Sequence, residues 1–141
     1  MKGKVLDFGC GVVISCFIGK KHPDTHLSLL DVSALAIKSA EETLTLNNLS
    51  GTVFPSNSLS MVKGQYQHIV SNPPFHQGTN TSYQATEDFL KGIHKHMHAR
   101  ANITIVANSF LKYLPIMQQH IGKTKPLINT QGFTIYHSQL N

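Results

Sequence analysis

Lys4-Val5-Leu6-Asp7-Phe8-Gly9-Cys10-Gly11 is the stretch on which the fold turns. A short apolar run ends in an acid and two glycines, and glycine lets the backbone turn tightly with no Cβ in the way. A helical stretch, Val12 to Lys21, comes next, and then a second strand-like run, His26 to Asp31. Strand, turn, helix and strand in that order open a parallel sheet. The rest of the chain continues the alternation. Ser33 can cap a helix through Leu46, with Leu35, Ala36, Ile37, Ala40 and Leu44 on one side and Lys38, Glu41 and Glu42 on the other. Asn47-Asn48-Leu49-Ser50-Gly51 stops it. Thr52 to Pro55 and Tyr66 to Ser71 read as strands three and four, Thr81 to Met97 as a helix, and Asn102 to Asn108 as strand five. A short helix around Tyr113 to Ile121 precedes two last strands, Leu127 to Thr130 and Phe133 to His137, joined at Gln131-Gly132. The expected architecture is α/β: a doubly wound, mostly parallel sheet with helices on both faces and a C-terminal antiparallel hairpin. Ligands on such sheets lie beyond the carboxyl ends of the strands, where the strand order switches.

The chain has 141 residues, the size of one domain, and 40% of them are hydrophobic, enough for a real core. No apolar run approaches the roughly 20 residues of a membrane span, and the run from Val5 to Phe8 is too short for a signal peptide, so a cytoplasmic protein is expected. Two cysteines, Cys10 and Cys16, make neither a disulfide framework nor a zinc cage. Twelve Lys and Arg against seven Asp and Glu give a formal charge of +5, which favours polyanionic partners. The cations are scattered in sequence, with Lys20-Lys21 the one doublet, so no basic arm stands out.

Candidate site residues sit after the strands. The third position of a dinucleotide G-x-G-x-x-G fingerprint is Ile14, which argues against a pyrophosphate site. The carboxylate of Asp7, just before Gly9 and Gly11, repels phosphate and suits a cationic ligand; S-adenosylmethionine carries an ammonium and a sulfonium. Asp31 ends the second strand, where an acid can accept hydrogen bonds from both ribose hydroxyls of an adenosine. Helix capping is the competing explanation, and Ser33 fills that role equally well. Asn57 could bind an adenine amino group or simply make a turn. Ser71-Asn72-Pro73-Pro74-Phe75 is the most specific signal. Consecutive prolines fix the backbone, leave Asn72 extended, and offer the Asn72 amide oxygen and the Pro73 carbonyl as acceptors beside the Phe75 ring. Such a set can grip a planar –NH₂ group on a base or a glutamine.

Asp7-x-Gly9-x-Gly11, Asp31 and Asn72-Pro73-Pro74-Phe75 resemble the motifs of class I methyltransferases acting on exocyclic or amide nitrogen. With Gly3-Lys4-Val5-Leu6-Asp7, Asp31-Val32-Ser33-Ala34, Val62-Lys63-Gly64, Phe75-His76, Ile105-Val106-Ala107-Asn108-Ser109-Phe110-Leu111 and Gln131-Gly132-Phe133, nearly the whole chain resembles the C-terminal domain of the ribosomal RNA small subunit methyltransferase C family. The resemblance implies a Rossmann-like sheet of seven strands, the last antiparallel. It implies S-adenosyl-L-methionine as cofactor, held by Asp7, Gly9, Gly11, Asp31, Asn57 and Asn72. It implies N2-methylation of a guanine in 16S rRNA, with Asn72, Pro73 and Phe75 catalytic and Phe75 and His76 on the substrate, and ribosomal RNA or the small subunit as partner.

Three departures stand out. The first loop is one residue short of the family's glycine-rich turn. Ala99-Arg100-Ala101-Asn102 replaces a glycine pair ahead of strand five. The family also carries a comparable N-terminal domain, so residues 1–141 are expected to be the catalytic domain alone, with a face open to self-association. His94 and His98 share a helical spacing, but no third ligand stands near them in sequence, and no metal is expected. Two other functions fit the motifs: glutamine N5-methylation of a protein, and a degenerate module that binds cofactor or RNA without turnover.

Overall fold

The computed structural model describes residues 3–9, 20–31, 33–56, 59–71, 80–108, 113–130 and 133–141. Its seven strands are β1 (Gly3–Phe8), β2 (Thr25–Asp31), β3 (Gly51–Pro55), β4 (Tyr66–Ser71), β5 (Met97–Asn108), β6 (Thr124–Thr130) and β7 (Phe133–Gln139). They form one sheet in the order β3-β2-β1-β4-β5-β7-β6. Only β7 runs against its neighbours, β5 and β6; the other pairs are parallel. The doubly wound sheet and its C-terminal hairpin are as expected; the Gln131-Gly132 turn itself lies outside the described residues, as does most of the Val12 to Lys21 helix.

Three helices are described: α1 (Ala34–Leu46), α2 (Asn80–Gly92) and α3 (Leu114–His120). Successive side chains on a strand point to opposite faces. On β1, Val5 therefore joins Leu27, Leu29, Val70 and the α1 residues Ala40 and Leu44 in one core layer. Leu6 and Phe8 join Leu30, Ile69, Ile103, Ile105 and the α2 residues Phe89 and Leu90 in the other. Covering both faces is what a near-continuous apolar central strand requires.

The ends of α1 follow local chemistry. Ser33 Oγ accepts from Ala36 N at 3.3 Å, as its N-cap. At the other end Asn48 takes φ +56°, Asn48 N donates to Thr45 O, and Leu49 N donates to Leu44 O at 2.9 Å. That pair of bonds is the Schellman closure, and it satisfies carbonyls the helix would leave open.

The segment after α2 departs from expectation. The helix stops at Gly92, a 3₁₀ turn covers Ile93–His96, and β5 already begins at Met97. Met97 pairs with Tyr66 and is 2% exposed, so burial pulls it into the sheet rather than into a longer helix. The register shifts between Tyr66 and His68, and Arg100 takes φ +63° there. A bulge thus occupies Ala99-Arg100-Ala101, where the resemblance had implied a glycine pair. Strand β6 likewise starts earlier than expected, at Thr124, and its register shifts between Pro126 and Ile128. An edge strand tolerates a proline that cannot donate to the ladder.

Candidate active site

The strand order runs outward in both directions from β1, with β2 on one side and β4 on the other. That makes the β1/β4 crevice the switch point at which such sheets bind ligands. Asp7 lies there in register with Leu29 on β2 and Val70 on β4, and its residue is fully buried. Phe8, next along, pairs with Leu30 and Ser71. Gly9 N donates to Leu30 O at 2.9 Å, and Gly9 has φ +77°. The β1–β2 ladder therefore holds to its last residue before the chain leaves in a conformation that suits glycine.

Asp31 closes β2 and is half-buried. Its Oδ1 accepts from Ser33 N at 2.9 Å, and its carbonyl accepts from Ser56 N at 3.0 Å. A carboxylate offers about four lone-pair sites, so one contact to Ser33 leaves acceptor capacity for two hydroxyls. Capping and ligand binding are thus compatible roles: Ser33 caps α1, and Asp31 steadies Ser33. Ser56 is buried, and its Oγ accepts from Met61 N at 3.1 Å, pinning the start of the loop that leaves β3.

Two contacts that the sequence did not foretell organise the crevice. Ser71 is fully buried, and its Oγ donates to the Phe8 carbonyl at 2.9 Å, locking the end of β4 to the end of β1. Phe8 stacks on Phe89 of α2, with ring centroids 3.8 Å apart at 15°. The strand that delivers residue 72 and the helix that begins at Asn80 are therefore both fastened to the end of β1. A small hydroxyl after the apolar pair Ile69-Val70 was the available signal for Ser71; nothing local marked the Phe8–Phe89 pair.

The structure brings Asp7, Gly9 and Asp31 to adjacent strand ends. Gly11, Asn57, Asn72, Pro73, Phe75 and His76 lie outside the described residues. Among the described residues no group of three or more His, Cys, Asp or Glu gathers as a metal site, and no helix is long and apolar enough to cross a membrane. His94 falls in the 3₁₀ turn and His98 in β5, so they do not share the helix face that their spacing suggested. Away from this crevice, on β7, His137 has its pKa lowered by burial and then by the charge of Lys125; its Nδ1 lies 3.0 Å from Thr104 Oγ1.

Comparison with known proteins fits this geometry. Residues 1–137 match the family model described as methyltransferase small domain. The chain is 68% identical over 142 residues to ribosomal RNA small subunit methyltransferase C of Colwellia psychrerythraea, covering 100% of this chain and 40% of that protein. The Vibrio cholerae protein of that name is 45% identical over 140 residues, covering 99% of this chain and 41% of its own length. The chain thus spans about two fifths of the curated relatives it matches. A Thermus thermophilus 16S rRNA N2 G1207 methyltransferase, solved in complex with AdoMet and guanosine, superposes with a TM-score of 0.85 at 19% identity, over 98% of this chain and 37% of that one. That likeness establishes the Rossmann-like methyltransferase fold. A family match across nearly the whole chain, on a sheet of this topology, places the protein in the methyltransferase small domain family.

Proposed function

We propose that residues 1–141 form an S-adenosylmethionine-dependent catalytic domain that methylates the exocyclic N2 of a guanine in 16S rRNA. The observation that carries this reading is the 68% identity, along the whole chain, to a ribosomal RNA small subunit methyltransferase C. The crevice suits the cofactor: Asp7 offers a buried carboxylate for its cationic end, Gly9 a backbone free of Cβ, and Asp31 an acceptor for its ribose. Gly11 and Asn57 are assigned to the same site from the sequence. When bound, S-adenosylmethionine supplies an electrophilic methyl group on sulfur.

The chain's own part in the chemistry is positioning. The guanine amino group is a poor nucleophile because its lone pair is delocalised into the ring. Accepting its two N–H groups at the Asn72 side chain and the Pro73 carbonyl would turn that lone pair outward. Phe75 would stack on the base and His76 would contact it. The rate gain then comes from orientation and electrostatics: the N–C bond would form as the S–C bond breaks, and the surplus proton on the methylated nitrogen would pass to water afterwards, so the transfer itself requires no general base. The base must leave its stack to enter. Self-association belongs to the same reading: Leu127 and Ile128 stand about half exposed, at 50% and 53%, on the edge strand β6, and sedimentation of the chain tests it.

The deciding experiment is transfer of labelled methyl to unmethylated 16S rRNA or 30S particles, beside a glutamine-bearing release-factor peptide. Label in guanine N2 is the expected result. Label only in the peptide, or cofactor binding without transfer to either substrate, would overturn it.

A further inference from the structure

Six strands run in one direction, so the segments that feed them gather at one pole of the sheet, opposite Asp7 and Asp31. Six exposed cations stand in the segments that feed or open β1, β2, β4 and β5. Lys4 begins β1, Lys20 and Lys21 precede β2, Lys63 precedes β4, and Lys95 and Arg100 flank the start of β5. Among the described residues, Asp24 is the one acid in those segments. The cations are held on a fixed frame. Lys4 N donates to Gln67 Oε1 at 2.7 Å, tying the start of β1 to β4. His96 Nδ1 lies 3.0 Å from Gly64 O, which keeps the Lys63 turn beside the Lys95 turn. Thr25 N and Oγ1 both donate to His22 O, at 3.1 and 2.8 Å, and close the turn after Lys21.

A depression of about 820 Å³ opens across the amino ends of β1, β2 and β3. Its polar lining is Lys4, Thr25, His26, Ser28, Ser50, Thr52 and Tyr66, and among the described residues no acid lines it. Ammonium, hydroxyl and imidazole groups supply donors, and phosphate oxygens accept.

We propose that this amino-end pole is a second RNA contact surface, which grips phosphates of the substrate RNA outside the segment that enters the crevice. This rests on the reading of RNA as substrate. A strand of six or seven residues is about 20 Å long, so phosphates at this pole belong to nucleotides well away from the one in the crevice. An acidic protein would meet the same charges, but lysine is depleted at protein interfaces, and five of the six cations named are lysines.

The test is a Lys20→Gln/Lys21→Gln/Lys63→Gln/Lys95→Gln variant, with its fold checked by circular dichroism and melting. Binding of unmethylated 16S rRNA is measured from 50 to 200 mM KCl beside the unaltered chain. The slope of log K against log salt should flatten by about 3, because each phosphate contact contributes about 0.7–0.9. KM for RNA should rise with kcat held, and the dissociation constant for S-adenosylmethionine should not change. An unchanged salt slope overturns the proposal, and so does failure of the unaltered chain to bind RNA. Displacement of the RNA by poly-glutamate as effectively as by an RNA homopolymer would assign the pole to an acidic protein instead. Salt-dependent RNA binding that the variant loses, in a chain that transfers no methyl to RNA, would sink the proposed reaction and leave this surface standing.

Discussion

At the carboxyl ends of β1 and β2 stand Asp7, buried, and Asp31, half-buried; at the amino ends of the same strands stand Lys4 and His26, both exposed. The contrast extends across the sheet. Buried and capped acids beside a glycine turn mark one pole, and exposed cations on tied-down turns mark the other. A parallel sheet gathers the segments entering its strands at one end and the segments leaving them at the other. Charges that look scattered along the sequence are therefore sorted in space. In the function proposed above the two poles divide the work: one would hold small, cationic and planar groups closely, and the other would attract a polyanion at longer range.

The most direct way to break this division is at Asn72. Asn72→Ala should lower methyl transfer by on the order of 10²–10³-fold, the loss typical of one positioned hydrogen-bonding group in a reaction centre. S-adenosylmethionine affinity should fall far less than the rate, and the salt slope for RNA should hold. Calorimetry and single-turnover kinetics measure the two sides, and an equal loss of cofactor affinity would leave Asn72 only the cofactor contact that the family resemblance implies.

Asp31→Ala should show the reverse pattern. Losing charge-assisted hydrogen bonds costs about 1–3 kcal/mol, or roughly 5- to 150-fold in the cofactor dissociation constant. RNA affinity should stay. An unchanged cofactor constant would confine Asp31 to its contact with Ser33.

Ser71→Ala probes how the carboxyl pole is held. It removes a buried bond from a fully buried side chain to the Phe8 carbonyl. The expected loss is about 1–2 kcal/mol of stability, from leaving a buried acceptor unmet. The melting temperature should fall by about 3–8 °C. Transfer should suffer more than cofactor binding, because residue 72 comes directly after Ser71. A melting temperature unchanged within error would mean the hydroxyl is dispensable.

How much of this was legible depends on how local the cause is. The Ser33 cap and the Asn48 closure need only neighbours within a few residues, and the sequence marks both. The gathering of Asp7, Gly9 and Asp31 was legible because each lies within one residue of its strand's end. Ser71 bonds to a residue 63 positions away, so its role appears only once β1 and β4 are paired. Met97 reads as helix in the sequence because its partner, Tyr66, lies in another element. The basic pole was illegible for the same reason, since strand direction gathers it and no run of residues does.

His137 offers a milder probe at the flank of the sheet. Burial, and then Lys125, hold its pKa below the ordinary imidazole value of about 6.5. Above that value the ring is neutral in folded and unfolded chains alike, and it adds no pH dependence. As pH falls below it, the unfolded chain binds the proton first, so stability declines until the folded pKa is passed. Melting curves between pH 5 and 8 should show this decline, and His137→Gln should flatten it. Identical curves for the two chains would remove His137 as the cause.

The smallest expected effect is at Arg100, where the two demands on the amino pole conflict. Arg100 holds φ +63°, a left-handed conformation that costs a non-glycine residue about 1–2 kcal/mol. Its side chain is exposed, so packing does not hold it in place. Arg100→Gly relieves the strain but loosens the unfolded chain by roughly 0.5–1 kcal/mol, leaving a net gain on the order of 0.5 kcal/mol. The melting temperature should rise by about 1–2 °C. If the amino pole grips phosphate, the same substitution should weaken RNA binding and flatten the salt slope by about 0.7–0.9. Arg100→Asn separates the two effects, because asparagine tolerates this conformation better than most residues yet carries no charge. It should reproduce the loss in RNA affinity with a smaller gain in stability. Gly and Asn variants that gain stability and bind RNA as before would show that Arg100 contributes strain alone and no contact to the backbone.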